Sequence, residues 1–274
     1  MDWLWLALLG FGTGAYGILV GAGGGFILGP ALLIFFDLEP QVVAGTALAA
    51  VAINSLTAAS TYRRMGFVDT RSGLLFATAA IPGSIIAPFV LSSVDGNTFR
   101  LLFGLLLIGL AVLMVFRPDV SERADEDESP PDSSMTGRRE ITTGSGQVFR
   151  YRFNEMLATL FNLVLGFLSS FFGTGGGFLR MPVLVYAFHF PVRVAVATSV
   201  FALAFYTTAG AVTHASLGHV DWYPTLVWAG LGLIVGGQVG ARLTGVLRGP
   251  WILRLLLVVA LIMGVRLVIE GLWG

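Results

Sequence analysis

Two glycine runs hold the residues best placed to do chemistry. Gly23, Gly24 and Gly25 stand in Gly21-Ala22-Gly23-Gly24-Gly25-Phe26, and Gly175, Gly176 and Gly177 in Gly173-Thr174-Gly175-Gly176-Gly177-Phe178. Both runs interrupt apolar stretches. In lipid every backbone N–H and C=O needs a partner, so a non-helical break survives only inside protein or beside water. Glycine permits positive φ and the close approach of another chain or a ligand. A helix restarting near Phe26 or Phe178 would turn its free N–H groups and the positive end of its dipole into the break, which suits an anion. Arg180 brings a cation to the same depth, where charge is expensive and faces a cavity or a partner. Side chains able to donate to an oxyanion accompany it: Thr46 and Asn54 in one half, and Thr174, Thr198, Ser199 and Tyr206 in the other. Each has a plainer reading as well. Hydroxyls and amides hydrogen-bond between membrane helices, and a buried arginine can pair or snorkel structurally. Glycines at four-residue spacing, Gly17-Gly21-Gly25 and Gly232-Gly236-Gly240, are also what close helix packing uses, and for the second set packing is expected. Gly12-Thr13-Gly14-Ala15-Tyr16-Gly17 fits G-x-G-x-x-G but follows no strand, so it is not read as a nucleotide site.

The elements that must hold these residues are membrane helices. Of the 274 residues 55% are apolar and only 12% charged, about half the charge of an average soluble domain. A soluble fold would have to expose large apolar patches, whereas a bilayer solvates them. Six runs approach the ~20 residues that cross ~30 Å of hydrocarbon: Val42–Thr61, Ser72–Leu91, Phe99–Phe116, Val194–Val212, Trp222–Leu243 and Ile252–Ile269. The N-terminal stretch from Trp3 lacks a basic leader and a cleavage site, so it is read as membrane structure and not as a signal peptide. With no Cys, disulfides and thiolate metal sites are excluded. No cofactor is expected.

The glycine runs belong to an internal repeat with an offset of about 152 residues. At that spacing Pro30 matches Pro182, Thr46 matches Thr198, Asn54 matches Tyr206, and Gly66-Phe67-Val68-Asp69 matches Gly218-His219-Val220-Asp221. Asp69 and Asp221 each open an apolar run after a glycine turn, as helix N-caps do. Between the halves, Pro118–Gln147 is rich in Ser, Pro and acids and reads as a loosely ordered linker. The arginines invert their bias between halves. Arg63, Arg64 and Arg71 sit in the loop Tyr62–Ser72, while His214–Trp222 has none; Ser92–Thr98 has none, while Arg242, Arg248 and Arg254 mark its counterpart. Arg100 and Arg254 begin helices, as interfacial anchors do. The expected architecture is all-α: two inverted repeats, 1–117 and 153–274, each a glycine-broken hairpin plus three transmembrane helices, joined by a cytoplasmic acidic linker over 118–152. Both termini are then extracytoplasmic.

At Gly21–Pro30, Gly173–Pro182 with Ala197-Thr198-Ser199 after it, and Gly218–Trp222, the chain resembles the sulfite exporter TauE/SafE family, also called the toluene sulfonate uptake permeases. The likeness covers nearly the whole chain outside the linker. It implies transport of sulfite, sulfonates or related sulfur-containing anions, often by export, across the cell membrane; the residues alone reach a small anion. The expected partners are therefore a small anionic substrate and the lipid bilayer, without nucleic acid, and the oligomeric state is open, a homodimer included. The substrate-binding candidates are Gly23, Gly24, Gly25, Thr46, Asn54, Thr174, Gly175, Gly176, Gly177, Arg180, Thr198, Ser199 and Tyr206. A channel and an ion-coupled importer stay open as alternatives. An embedded enzyme is disfavoured, since His189, His214 and His219 lie at loop edges and no hydrolase motif occurs.

Overall fold

A computed structural model of the chain describes residues 2–36, 38–116, 136–144, 146–244 and 249–273. All six apolar runs are helical, and six spans among the described residues are long and apolar enough to cross a membrane. In the first half, α1 (Asp2–Leu19) and α2 (Gly25–Phe35) flank the first glycine break and are followed by α3 (Pro40–Met65), α4 (Thr70–Leu91) and α5 (Gly96–Val115). In the second half, α6 (Glu155–Phe171) and α7 (Gly177–Tyr186) flank the second break, before α8 (Val192–Ser216), α9 (Val227–Thr244) and α10 (Gly249–Trp273). Side-chain caps start several of them: Asp69 accepts from Ser72 N–H, Asp95 from Thr98 N–H and Asn154 from Leu157 N–H. Asp221 does not cap in this way. A π-type turn over Trp222–Leu226 leads into α9, and the Asp221 carboxylate accepts the Thr225 hydroxyl instead of a backbone N–H.

The halves interlock. α1 packs on α9 and α6 on α4, while α3 packs on α8 and α5 on α10. Exchanging the halves maps the first pair onto the second and leaves the other two pairs unchanged. Small residues allow these approaches. A Cβ added at Gly232, Gly236 or Gly240 would lie 2.1 Å from a carbonyl oxygen of α1, and one at Gly166 2.0 Å from Ala80 O on α4. The packing reading of Gly232, Gly236 and Gly240 therefore holds. Where equivalent helices meet they run antiparallel. Gly45 near the start of α3 abuts His219 just past the end of α8, and Gly104 of α5 abuts Gly264 and Val268 while Gly271 abuts Leu101 and Asn97.

One expectation is corrected. The composition of Pro118–Gln147 predicts a loosely ordered linker, but a hairpin of β1 (Thr136–Thr142) and β2 (Val148–Asn154) is built from its end, in register from Thr136 opposite Asn154 to Thr142 opposite Val148. The signal was alternation: Phe149, Tyr151 and Phe153 point inward and Arg150 outward, the period of a strand with one buried face. Phe149 packs on Phe67, Phe153 on Phe76, and Tyr151 and Phe153 on Phe190. Among the described residues the fold is thus helical with one small sheet. Residues 118–135 and 145 of the linker lie outside the described residues, as does 117 before it.

Candidate functional site

The two breaks meet at the centre of the bundle. Gly21, Gly23 and Gly24 have φ of 74, 79 and 106°, and Gly173, Gly175 and Gly176 have 68, 81 and 68°. All six lie in the left-handed region that costs other residues about 1–2 kcal/mol, so the glycines are required by conformation. They are also required by space. A Cβ on Gly25 would lie 2.5 Å from Gly173 O, and one on Gly177 2.1 Å from Gly21 O. The tips therefore touch backbone to backbone. Val51 and its counterpart Leu203 close around both, each within 3.5 Å of where a Cβ on Gly23 or Gly175 would sit. Phe26 and Phe178 stack with ring centres 5.6 Å apart.

Polar side chains then satisfy the carbonyls that the breaks release. Asn54 Nδ2 donates to Gly23 O at 2.9 Å, and Tyr206, its repeat counterpart, donates its hydroxyl to Gly175 O. Ser199 Oγ donates to Gly21 O at 2.9 Å, and Thr174 Oγ1 accepts from Gly176 N–H at 3.3 Å. Eleven of the thirteen predicted residues thus gather at the tips or, like Arg180, on the half-helix beside them. Thr46 and Thr198 have other tasks: Thr46 Oγ1 accepts from Asp221 N–H at 2.8 Å, and Thr198 Oγ1 from Asp69 N–H at 3.0 Å. Each pins a loop of the opposite half.

Arg180 separates the two breaks chemically. It is wholly buried one turn into α7. Its Nε donates to Asn162 Oδ1 at 2.6 Å and its Nη1 to the Tyr206 hydroxyl at 3.1 Å, with the guanidinium carbon 4.7 Å from the Tyr206 ring centre. Nη2 has no hydrogen-bond partner, nor has the buried hydroxyl of Ser170; the Ser169 hydroxyl faces that of Tyr206 without hydrogen-bond geometry. No carboxylate pairs with Arg180 among the described residues. At the matching positions the first half has Leu28 for Arg180, Gly10 for Asn162 and Gly17 for Ser169. The repeat comparison therefore could not find Asn162, Ser169 and Ser170. The available signal was an amide and a Ser-Ser pair in the apolar body of α6 beyond its first turn and Thr159. The arrangement presents a fixed cation, a free N–H edge and hydroxyls at a half-helix N-terminus, which is chemistry for holding an oxyanion. Among the described residues no cluster of His, Asp or Glu could hold a metal.

On the face where α8 ends, His214 Nδ1 lies 3.3 Å from His219 Nδ1, and His214 Nε2 lies 3.0 Å from Ser170 O. Burial holds the His219 imidazole below its usual range.

Comparison with known proteins agrees in extent with this repeat-wide architecture. A probable membrane transporter protein of Bacillus subtilis, YunE, is 30% identical over 282 residues, covering 100% of both chains. A probable membrane transporter protein of Xylella fastidiosa is 28% identical over 86% of this chain and 81% of its own. Another, from Methanocaldococcus jannaschii, is 26% identical over 76% and 71%. No solved structure gives a significant match. The description of the sulfite exporter TauE/SafE proteins matches residues 6–267, both glycine breaks included, and the chain belongs to that family.

Proposed function

We propose that the chain is a membrane carrier for small sulfur-containing oxyanions of the sulfite and organosulfonate class, which it exports across the cell membrane. The observation that carries this reading is Arg180, fully buried beside the second glycine break with one edge of its guanidinium unpartnered. In this proposal the halves are inverted repeats that rock about the touching glycine tips, the mode of alternating access suited to paired broken helices. Antiparallel packing of α3 with α8 and of α5 with α10 supports it. Tips in van der Waals contact favour a carrier over an open channel. The membrane potential supplies the drive, since an inside-negative potential favours anion exit by about 2.3 kcal/mol per charge per 100 mV.

The test is efflux from sulfite-loaded proteoliposomes in chloride medium, under a valinomycin-set potential without proton or sodium gradients. Efflux should accelerate when the potential favours anion exit and slow when its sign is reversed. Arg180→Gln should weaken sulfite affinity by about 10–100-fold, the loss of one charged hydrogen-bonding group. Arg180→Lys should keep part of the affinity, because charge survives while the planar fork does not. Efflux indifferent to the sign of the potential removes the driving force, and unchanged affinity in Arg180→Gln removes the site.

A further inference from the structure

The arginines of this protein are not treated alike. Arg139 sits between Asp69 and Glu155, Arg71 faces Glu155, Arg150 faces Glu140 and Arg266 faces Glu270. Those four lie at helix ends, on the sheet or on the lipid-facing side of α10. Arg180, the most deeply buried among the described residues, has only neutral partners among them: the Asn162 amide and the Tyr206 hydroxyl and ring, with the Ser169 hydroxyl facing that of Tyr206. The other half offers no compensation, for Leu28 stands at the equivalent position. A buried charge without a counter-charge is a strongly disfavoured state, and dipoles offset only part of the cost.

We infer that Arg180 carries a small inorganic anion through the whole cycle, so the protein exchanges one anion for another and does not return empty. This rests on Arg180 being the substrate site. When the sulfur oxyanion leaves, the guanidinium must cross between the two orientations either bare or paired. The bare passage is slower by about a hundredfold or more, from the penalty of an uncompensated buried charge. The unpartnered Nη2 edge is where such an anion would pair. For sulfite, exchange of the divalent anion outward for a monovalent anion inward still moves net negative charge out, so the membrane potential keeps its role. The same exchange of a monovalent sulfonate is electroneutral and runs on the concentration gradients.

Sulfite-loaded proteoliposomes are diluted into isotonic potassium chloride or potassium gluconate with the potential clamped by valinomycin. Efflux should fall about a hundredfold in gluconate and return when chloride is added. Equal efflux in both media overturns the exchange and leaves the site reading intact. An Arg180→Gln variant that transports like the wild type in both media overturns the site reading itself. A second measurement avoids transport. Wild-type protein in nanodiscs should melt at a higher temperature in chloride than in gluconate, by mass action on the native state. Asn162→Asp, which puts a carboxylate where the amide oxygen meets Arg180 Nε, should melt alike in both. A wild type that does not distinguish the two salts, or an Asn162→Asp variant that still does, overturns the resident anion.

Discussion

Asn54 and Tyr206 occupy one position in two copies of the same unit, and both close the first carbonyl of a glycine run. Their difference is what the second copy adds, because only Tyr206 also reaches Arg180. Removing either donor leaves a buried carbonyl unpaired, which costs about 1–3 kcal/mol. Asn54→Leu should therefore lower the melting temperature but leave sulfite affinity nearly unchanged. Tyr206→Phe should lower both, since Nη1 of Arg180 loses its acceptor as well. Thermal unfolding alongside equilibrium sulfite binding separates the two; equal affinity loss in both variants would make Tyr206 a structural residue only. The glycines were legible from sequence because a conformational need leaves a composition that nothing else explains. Thr46 and Thr198 were legible only as polar groups in helices. Which group their hydroxyls meet depends on the opposite half, and a repeat offset cannot show that.

Among the elements, the β-hairpin is what the linker's composition concealed. Six helices announced themselves by length and apolarity, a signal that survives any packing. The strands are seven residues each and sit beside an acid-rich stretch, so averaging over the linker hid the alternation of Phe149, Tyr151 and Phe153. The hairpin is fastened to the helices at Asp69. That carboxylate accepts from Ser72 N–H at 3.0 Å and from the Tyr151 hydroxyl at 2.8 Å, and lies 3.5 Å from Arg139 Nε. Burial and the neighbouring Asp69 charge push the Tyr151 phenol above its usual range, so it keeps the proton it donates. Gly144 N–H also donates to Met65 O. The corresponding Asp221 in the second half has the Thr225 hydroxyl in place of an arginine and a tyrosine. Arg139→Gln leaves the Asp69 carboxylate without its cation and should cost on the order of 2 kcal/mol. Faster deuterium uptake over β1 and β2 is expected, with the amides of α9 unchanged. Uniform acceleration through the whole protein would instead mean that the hairpin is part of the global core.

At the scale of the whole molecule, contacts between the halves constrain how the chain can sit in a bilayer. α4 and α6 run side by side in the same direction, with Arg71 beside Glu155 at their starts and Gly83 beside Leu163 and Phe167 further along. Phe188 and Phe190 pack on Phe153 just before α6, so the second broken hairpin leaves on the face where it began. The first hairpin leads into α3, whose Pro40 lies beside Gly96 at the start of α5, on the opposite face from Arg71 and the β-hairpin. In the proposed inverted arrangement the two hairpins reach the centre from opposite faces, so each face has one hairpin leading toward the tips beside Arg180. The orientation proposed here rests on charge: Arg63 and Arg64 end α3, Arg71 starts α4, and Arg138, Arg150 and Arg152 stand on the β-hairpin beside them, and cationic loops are retained inside. The chain contains no Cys, so single cysteines at Ser93, Gln147 and Ser216 report topology without background. A membrane-impermeant maleimide applied to intact cells should label Ser93→Cys and Ser216→Cys, and Gln147→Cys only after permeabilisation. Ser93 lies between α4 and α5, whereas Ser216 ends α8, so common labelling requires the halves to be inverted. Protection of Ser216→Cys together with Gln147→Cys would make the repeats parallel, and alternating access about the glycine tips would fall with the inversion.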